Sequence, residues 1–79
     1  MQELKVAELL IKELRRANRI YGTSFASSHE GYAVMLEELD ELFEEIRQKH
    51  PDKERLREEA IQVGAMAMKF IMSIDHWAK

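Results

Sequence analysis

The chain has 79 residues, 46% of them hydrophobic and 34% charged, with a formal net charge of −3 and no cysteine. That balance fits one soluble all-α domain over residues 1–79 and argues against disorder. It excludes a disulfide framework and thiolate metal sites, and it lacks the basic stripe of a nucleic-acid binder, so no nucleic-acid partner is expected.

Met1 to about Ile20 reads as the first helix. Leu4, Ala7, Leu10, Ile11, Leu14 and Ala17 recur at three-and-four spacing and form a core stripe. Arg15, Arg16 and Arg19 fall in its last turns. Two readings are open for them: favourable placement against the helix dipole, or contact with a polyphosphate, for which Arg15 and Arg19 are the candidates. Tyr21 to Ser28 reads as a loop. Gly22 suits a helix C-cap, and Phe25 is an apolar plug tying the loop to the core. Ser27 and Glu30 have the spacing of a capping box, which starts helix two near Ser28. His29 reads as a surface or capping residue, because no second His stands at metal-ligand spacing.

Helix two is expected from about Ser28 to Lys49. With Glu38 at 0° and about 100° per residue, Met35, Leu42, Ile46, Leu39, Tyr32, Phe43 and Leu36 fall between roughly 40° and 160°. Glu38, Glu41 and Glu45 line one border of that arc, and Asp40 and Glu44 line the other. Border carboxylates can face solvent or a seam between helices. Glu38 and Glu41 stand three apart, so both can point at one site. A hard divalent cation would turn their repulsion into ligation. The plain alternative is a solvated acidic face.

His50, Pro51 and Asp52 break the helix. The short connection makes helices two and three antiparallel neighbours. Helix three, from about Asp52 to Trp77, is apolar over most of its circumference. Glu58, Lys69, Gln62, Ser73 and Arg55 make a narrow polar sector. A helix of that kind is buried on more than one side. With three helices in the chain, the second cover must come from another subunit, so a homodimer or homotetramer is expected. Gly64, Ala65 and Ala67 permit close helix approach, and Met66, Met68 and Met72 read as adaptable core. Glu59 stands at the edge of the apolar face, where a carboxylate needs a partner. Two partners are open: a salt bridge to Arg15 or Arg55, or a shared site with Glu38 and Glu41. No signal peptide and no apolar run long enough to span a bilayer is seen, so no membrane partner is expected and the expected compartment is the cytoplasm.

Glu37-Glu38-Leu39-Asp40-Glu41 resembles the E-E-x-x-E motif of the MazG-like, all-α nucleoside triphosphate pyrophosphohydrolases. The block from His29 to Ile74 is similar to small MazG-like proteins of bacteria and their phages. The resemblance implies a helical bundle of four-helix type completed by oligomerisation. It also implies Mg²⁺-dependent cleavage of a nucleoside triphosphate to a monophosphate and pyrophosphate, with Mn²⁺ as a substitute metal. Glu38, Glu41 and Glu59 would map onto metal ligands. Gln62 would take the fourth position, and Glu37 would accept a proton from water. The family's second motif is E-x-x-D, whereas this chain has Glu59-Ala60-Ile61-Gln62. Gln62 can ligate through its carbonyl but adds no charge. That leaves three readings: compensation by Glu45, a site with fewer metals, or lost catalysis. A non-catalytic nucleotide- or metal-binding relative, or a protein-interaction module docking through helix three, is therefore carried beside the enzyme.

Overall fold

The computed structural model describes residues 1–77. Helix α1 spans Glu3–Tyr21, α2 Ser28–Ile46 and α3 Lys53–Ser73, and a 3₁₀ turn follows over Ile74–His76. No strand occurs among the described residues.

Local chemistry sets the helix ends. Gly22 closes α1 with φ 94°, a value that suits glycine, and its N–H donates to the Asn18 carbonyl at 3.0 Å. At the start of α2 the Ser27 hydroxyl accepts from the Glu30 N–H at 3.1 Å, and the Glu30 carboxylate accepts from the Ala26 N–H at 3.1 Å. The reciprocal box is thus present but reaches one residue further back than its usual form. Asp52 caps α3 by accepting from the N–H groups of Glu54 and Arg55 at 2.8 and 3.4 Å. Two expected boundaries move inward. Helix α2 ends at Ile46 rather than Lys49, with Arg47 as its C-cap and no cation in its last turn. The α-helical part of α3 ends at Ser73, and Trp77 lies in extended backbone after the 3₁₀ turn.

Helix α3 is central and packs along both α1 and α2. Its register against α2 is antiparallel: Arg55 meets Glu45, while Phe70 lies against Gly31. Its register against α1 runs in the same sense, with Gly64 against Leu10 and Lys69 against Gly22. Leu14, Ala17, Phe25, Ala65 and Met66 form the buried core, flanked by Val34, Met35, Met68, Phe70 and Trp77. The Phe70 and Trp77 rings meet edge to face at 5.0 Å, a favourable aromatic geometry.

Phe25 is the plug that fixes the α1–α2 loop. Its N–H donates to the Ser73 hydroxyl at 3.0 Å and its carbonyl accepts from the Trp77 indole at 2.8 Å. The Lys69 ammonium donates to the Gly22 carbonyl at 2.9 Å and lies 4.8 Å from the centre of the Phe25 ring. Lys69 and Ser73 are therefore buried, not members of a wet sector. The loop folds over them and uses their polar atoms to satisfy its own backbone.

The apolar arc of α2 is split. Met35 and Leu42 are partly covered, whereas Tyr32, Leu36, Leu39, Phe43 and Ile46 are exposed, as are Ile71, Met72 and Ile74 near the end of α3. The uncovered apolar surface thus lies more on α2 than on α3. Among the described residues no helix is long and apolar enough to cross a membrane.

Candidate metal centre

Antiparallel packing of α2 on α3 brings three carboxylates together. One ligand oxygen from each of Glu38, Glu41 and Glu59 lies within 4.8 Å of the others. They grade from core to surface: Glu59 is buried, Glu38 half-buried and Glu41 exposed. The helix repeat places Glu38 and Glu41 on one side of α2, and Glu59 faces them from the second turn of α3.

This cluster is incompletely compensated. Arg55 Nη2 stands 3.6 Å from Glu59 Oε1, and Arg55 Nε stands 3.7 Å from Glu45 Oε1. The expected Arg55 salt bridge to Glu59 is therefore present, and Arg15 takes no part in it. One mostly exposed guanidinium serves two carboxylates. Glu45 also accepts from the Asp52 N–H at 3.0 Å. Its oxygens are engaged in closing the α2–α3 turn, so it is not positioned to compensate for Gln62. Glu38 Oε2 and Glu59 Oε2 are both buried without a hydrogen-bond partner. A buried carboxylate oxygen left this way is costly. Burial pushes the Glu38 carboxyl up to about 7, and the charge of Glu41, hydrogen bonding to Glu41 and the charges of Glu59 and Glu13 add to the shift. The group keeps its proton to higher pH because it is partly buried among carboxylates.

Orphaned oxygens on an all-carboxylate cluster are the donor chemistry that a hard divalent cation requires. The residues therefore fit a Mg²⁺ or Mn²⁺ ion. Such an ion would remove the repulsion that raises the Glu38 pKa.

The cluster borders a cavity of about 450 Å³ between α1 and α2, floored by α3. Glu37, Glu38, Glu41 and Gln62 all line it. Glu37 is exposed on its wall, and Gln62 lies one turn beyond Glu59. Arg15 and Arg19 are not among the lining residues; Arg16 is. Arg16 donates to both oxygens of Glu13 at 2.8 and 2.6 Å. That pairing raises its pKa above the ordinary value, with a smaller contribution from Glu38. The sequence carried a signal for this choice. Arg16 stands three residues after Glu13, on one helix face with it, whereas Arg15 projects away from Glu13. Lys69 also reaches the cavity, and its pKa is lowered by burial, with Glu30 opposing the shift. His29 is exposed, as expected.

No family model, curated protein or solved structure matches this chain.

Proposed function

We propose that this protein is a Mg²⁺-dependent nucleoside triphosphate pyrophosphohydrolase that releases pyrophosphate and a nucleoside monophosphate. One observation carries the reading: three carboxylates from two helices converge at the edge of an open cavity, and two of their buried oxygens lack partners. The resemblance of Glu37-Glu38-Leu39-Asp40-Glu41 to the MazG-like motif gives the chemistry a direction.

In this reading Glu38, Glu41 and Glu59 hold the divalent ion, with the Gln62 carbonyl beside them. When bound, the ion supplies charge neutralisation for the phosphates and a more acidic water. Glu37, on the cavity wall, accepts a proton from the attacking water. Arg16, held in place by Glu13, faces the phosphates and stabilises charge that develops on them. The nucleotide pool such an enzyme would act on makes the cytoplasm its proposed compartment.

The assembly proposed is a homo-oligomer in which a second copy covers the exposed face of α2. Tyr32, Leu36, Leu39, Phe43 and Ile46 alternate steps of four and three, so the stripe reads nearly the same in both directions about Leu39. Such a stripe can meet its own copy across a two-fold axis. Two antiparallel helices from each subunit would complete a bundle of four-helix type.

A non-catalytic metal- or nucleotide-binding role is the second reading, favoured by the neutral Gln62 beside the carboxylates. The test is a panel of ribo- and deoxyribonucleoside triphosphates with Mg²⁺ or Mn²⁺, assayed for monophosphate plus pyrophosphate. Release that disappears in Glu38→Gln and in Glu59→Gln supports the enzyme. Absence of release with every nucleotide replaces it with the binding role.

A further inference from the structure

A second groove lies on the opposite side of Arg16. It has a volume of about 350 Å³ and runs between α1 and α3. Lys12, Arg16 and Arg19 line it from α1, at the i, i+4 and i+7 spacing of one helix face. Glu13, Glu58 and Gln62 also line it, so three cations face two carboxylates. The larger cavity has the opposite balance, with Glu13, Glu30, Glu37, Glu38 and Glu41 against Arg16 and Lys69. Glu13, Arg16 and Gln62 belong to both walls. The two spaces are therefore neighbours, one acidic and one basic, divided by a fixed arginine and a glutamine.

We propose that the α1–α3 groove is a polyphosphate subsite, in which Lys12, Arg16 and Arg19 hold a phosphate chain that passes over Gln62 from the carboxylate cluster. The direction of the chain rests on the nucleotide reading above; the groove's affinity for a short polyanion does not. Three features support the assignment. Lys12 and Arg19 make no ion pair with a carboxylate among the described residues. Exposed cations without partners meet a phosphate with little to give up. Arg16 is set by its two bonds to Glu13, which engage two of its five N–H donors and leave three for an anion. The groove is also small, at about 350 Å³, which suits a chain of a few phosphates rather than a nucleic-acid backbone. In the nucleotide reading the metal-proximal phosphate sits in the acidic cavity, and the distal phosphates, which leave as pyrophosphate, lie in the basic groove.

The test uses the full chain in EDTA at low salt, so that neither metal nor turnover contributes. Pyrophosphate and a non-hydrolysable α,β-imido nucleoside triphosphate are titrated separately by calorimetry, with ³¹P NMR in parallel. Both ligands are expected to bind the wild type. Lys12→Gln/Arg19→Gln is expected to weaken both by about tenfold or more, the scale of two lost charge-assisted contacts. Lys49→Gln/Lys53→Gln makes the same change in net charge away from the groove and is expected to keep the affinity. Circular dichroism checks that the exposed α1 substitutions leave the helices intact. Equal binding by the wild type and Lys12→Gln/Arg19→Gln, or no pyrophosphate binding at all, would overturn the assignment. Binding of the imido nucleotide alone would also overturn it, since the affinity would then come from the nucleoside. The nucleotide reading fails separately. Groove binding without turnover on any nucleotide would remove the enzyme and leave the subsite, whereas turnover with unchanged KM in Lys12→Gln/Arg19→Gln would remove the subsite and leave the enzyme.

Discussion

Glu38 on α2 and Glu59 on α3 each bury an oxygen that nothing hydrogen-bonds, and their ligand oxygens share a 4.8 Å cluster with Glu41. Two like charges held this way destabilise the fold unless a proton or a cation intervenes. The consequences can be measured without knowing the substrate.

The first is a pH dependence. The folded-state pKa of Glu38 is about 7, against an ordinary carboxyl near 4.5. Between those values the native state binds a proton that the unfolded chain has released, so this group's contribution to stability falls as pH rises. Allowing for solvent screening at a half-buried site, the loss is on the order of 1–2 kcal/mol. Urea titrations in EDTA at pH 5 and pH 8 should show it, and Glu38→Gln should flatten the difference. Mg²⁺ should restore stability at pH 8 and have little effect at pH 5. Identical pH slopes in the wild type and Glu38→Gln would contradict the burial of this carboxyl.

A second prediction contrasts two glycines. A Cβ on Gly31 would lie 2.6 Å from a Phe70 ring carbon and 3.0 Å from one of Phe25. Both rings are fixed, Phe70 by Trp77 and Phe25 by its buried position. Gly31→Ala should cost about 1–3 kcal/mol by overpacking and lower Tm accordingly. A Cβ on Gly64 would meet the terminal methyl of Leu10 at 2.6 Å, which can rotate away. The gain in helix propensity, about 1 kcal/mol, should then leave Gly64→Ala close to neutral. Thermal melts of the two variants decide the contrast, and equal losses would refute it.

Much of this arrangement is legible in the sequence, because helix periodicity and caps are local properties. The three helices, the Ser27 cap and the Phe25 plug follow from spacing, whereas for Glu59 spacing leaves two partners open, and the structure realises both the Arg55 pair and the cluster with Glu38 and Glu41. Lys69 and Ser73 were not legible as buried residues. On a helical wheel they belong to the polar sector, and a wheel carries no information about where the Gly22–Phe25 loop comes to lie. Glu45 shows the same limit, since its engagement by Arg55 and the Asp52 N–H depends on the geometry of the turn. The apolar surplus was expected on α3. It is larger on α2, because α3, being central, is covered by both other helices.

Gln62 supplies a third prediction. It lines the cavity one turn beyond Glu59, where a charged ligand would strengthen cation binding. Gln62→Asp should tighten Mg²⁺ by about tenfold, measured by calorimetry. Unchanged affinity would remove Gln62 from the ligand shell.

The exposed face of α2 supplies a fourth. Leu39→Lys places a charge at the centre of the stripe Tyr32, Leu36, Leu39, Phe43 and Ile46. In the proposed homo-oligomer it should shift the equilibrium toward monomer, weakening association by about 2 kcal/mol or more, as a central interface residue does. Light scattering after size exclusion reads the mass directly. A wild type that is monomeric at every concentration would exclude the second copy from this face.

The most direct test of the central claim is divalent-metal binding at the carboxylate cluster, because the proposed chemistry depends on it. Mn²⁺ titration followed by electron paramagnetic resonance, with Mg²⁺ competition, counts sites per chain. The account predicts one tight site per chain in the wild type, displaced by Mg²⁺ and lost in both Glu38→Gln and Glu59→Gln. Its affinity should fall as pH drops below about 7, where Glu38 takes up its proton. No saturable site, or one that survives both substitutions, would contradict the account.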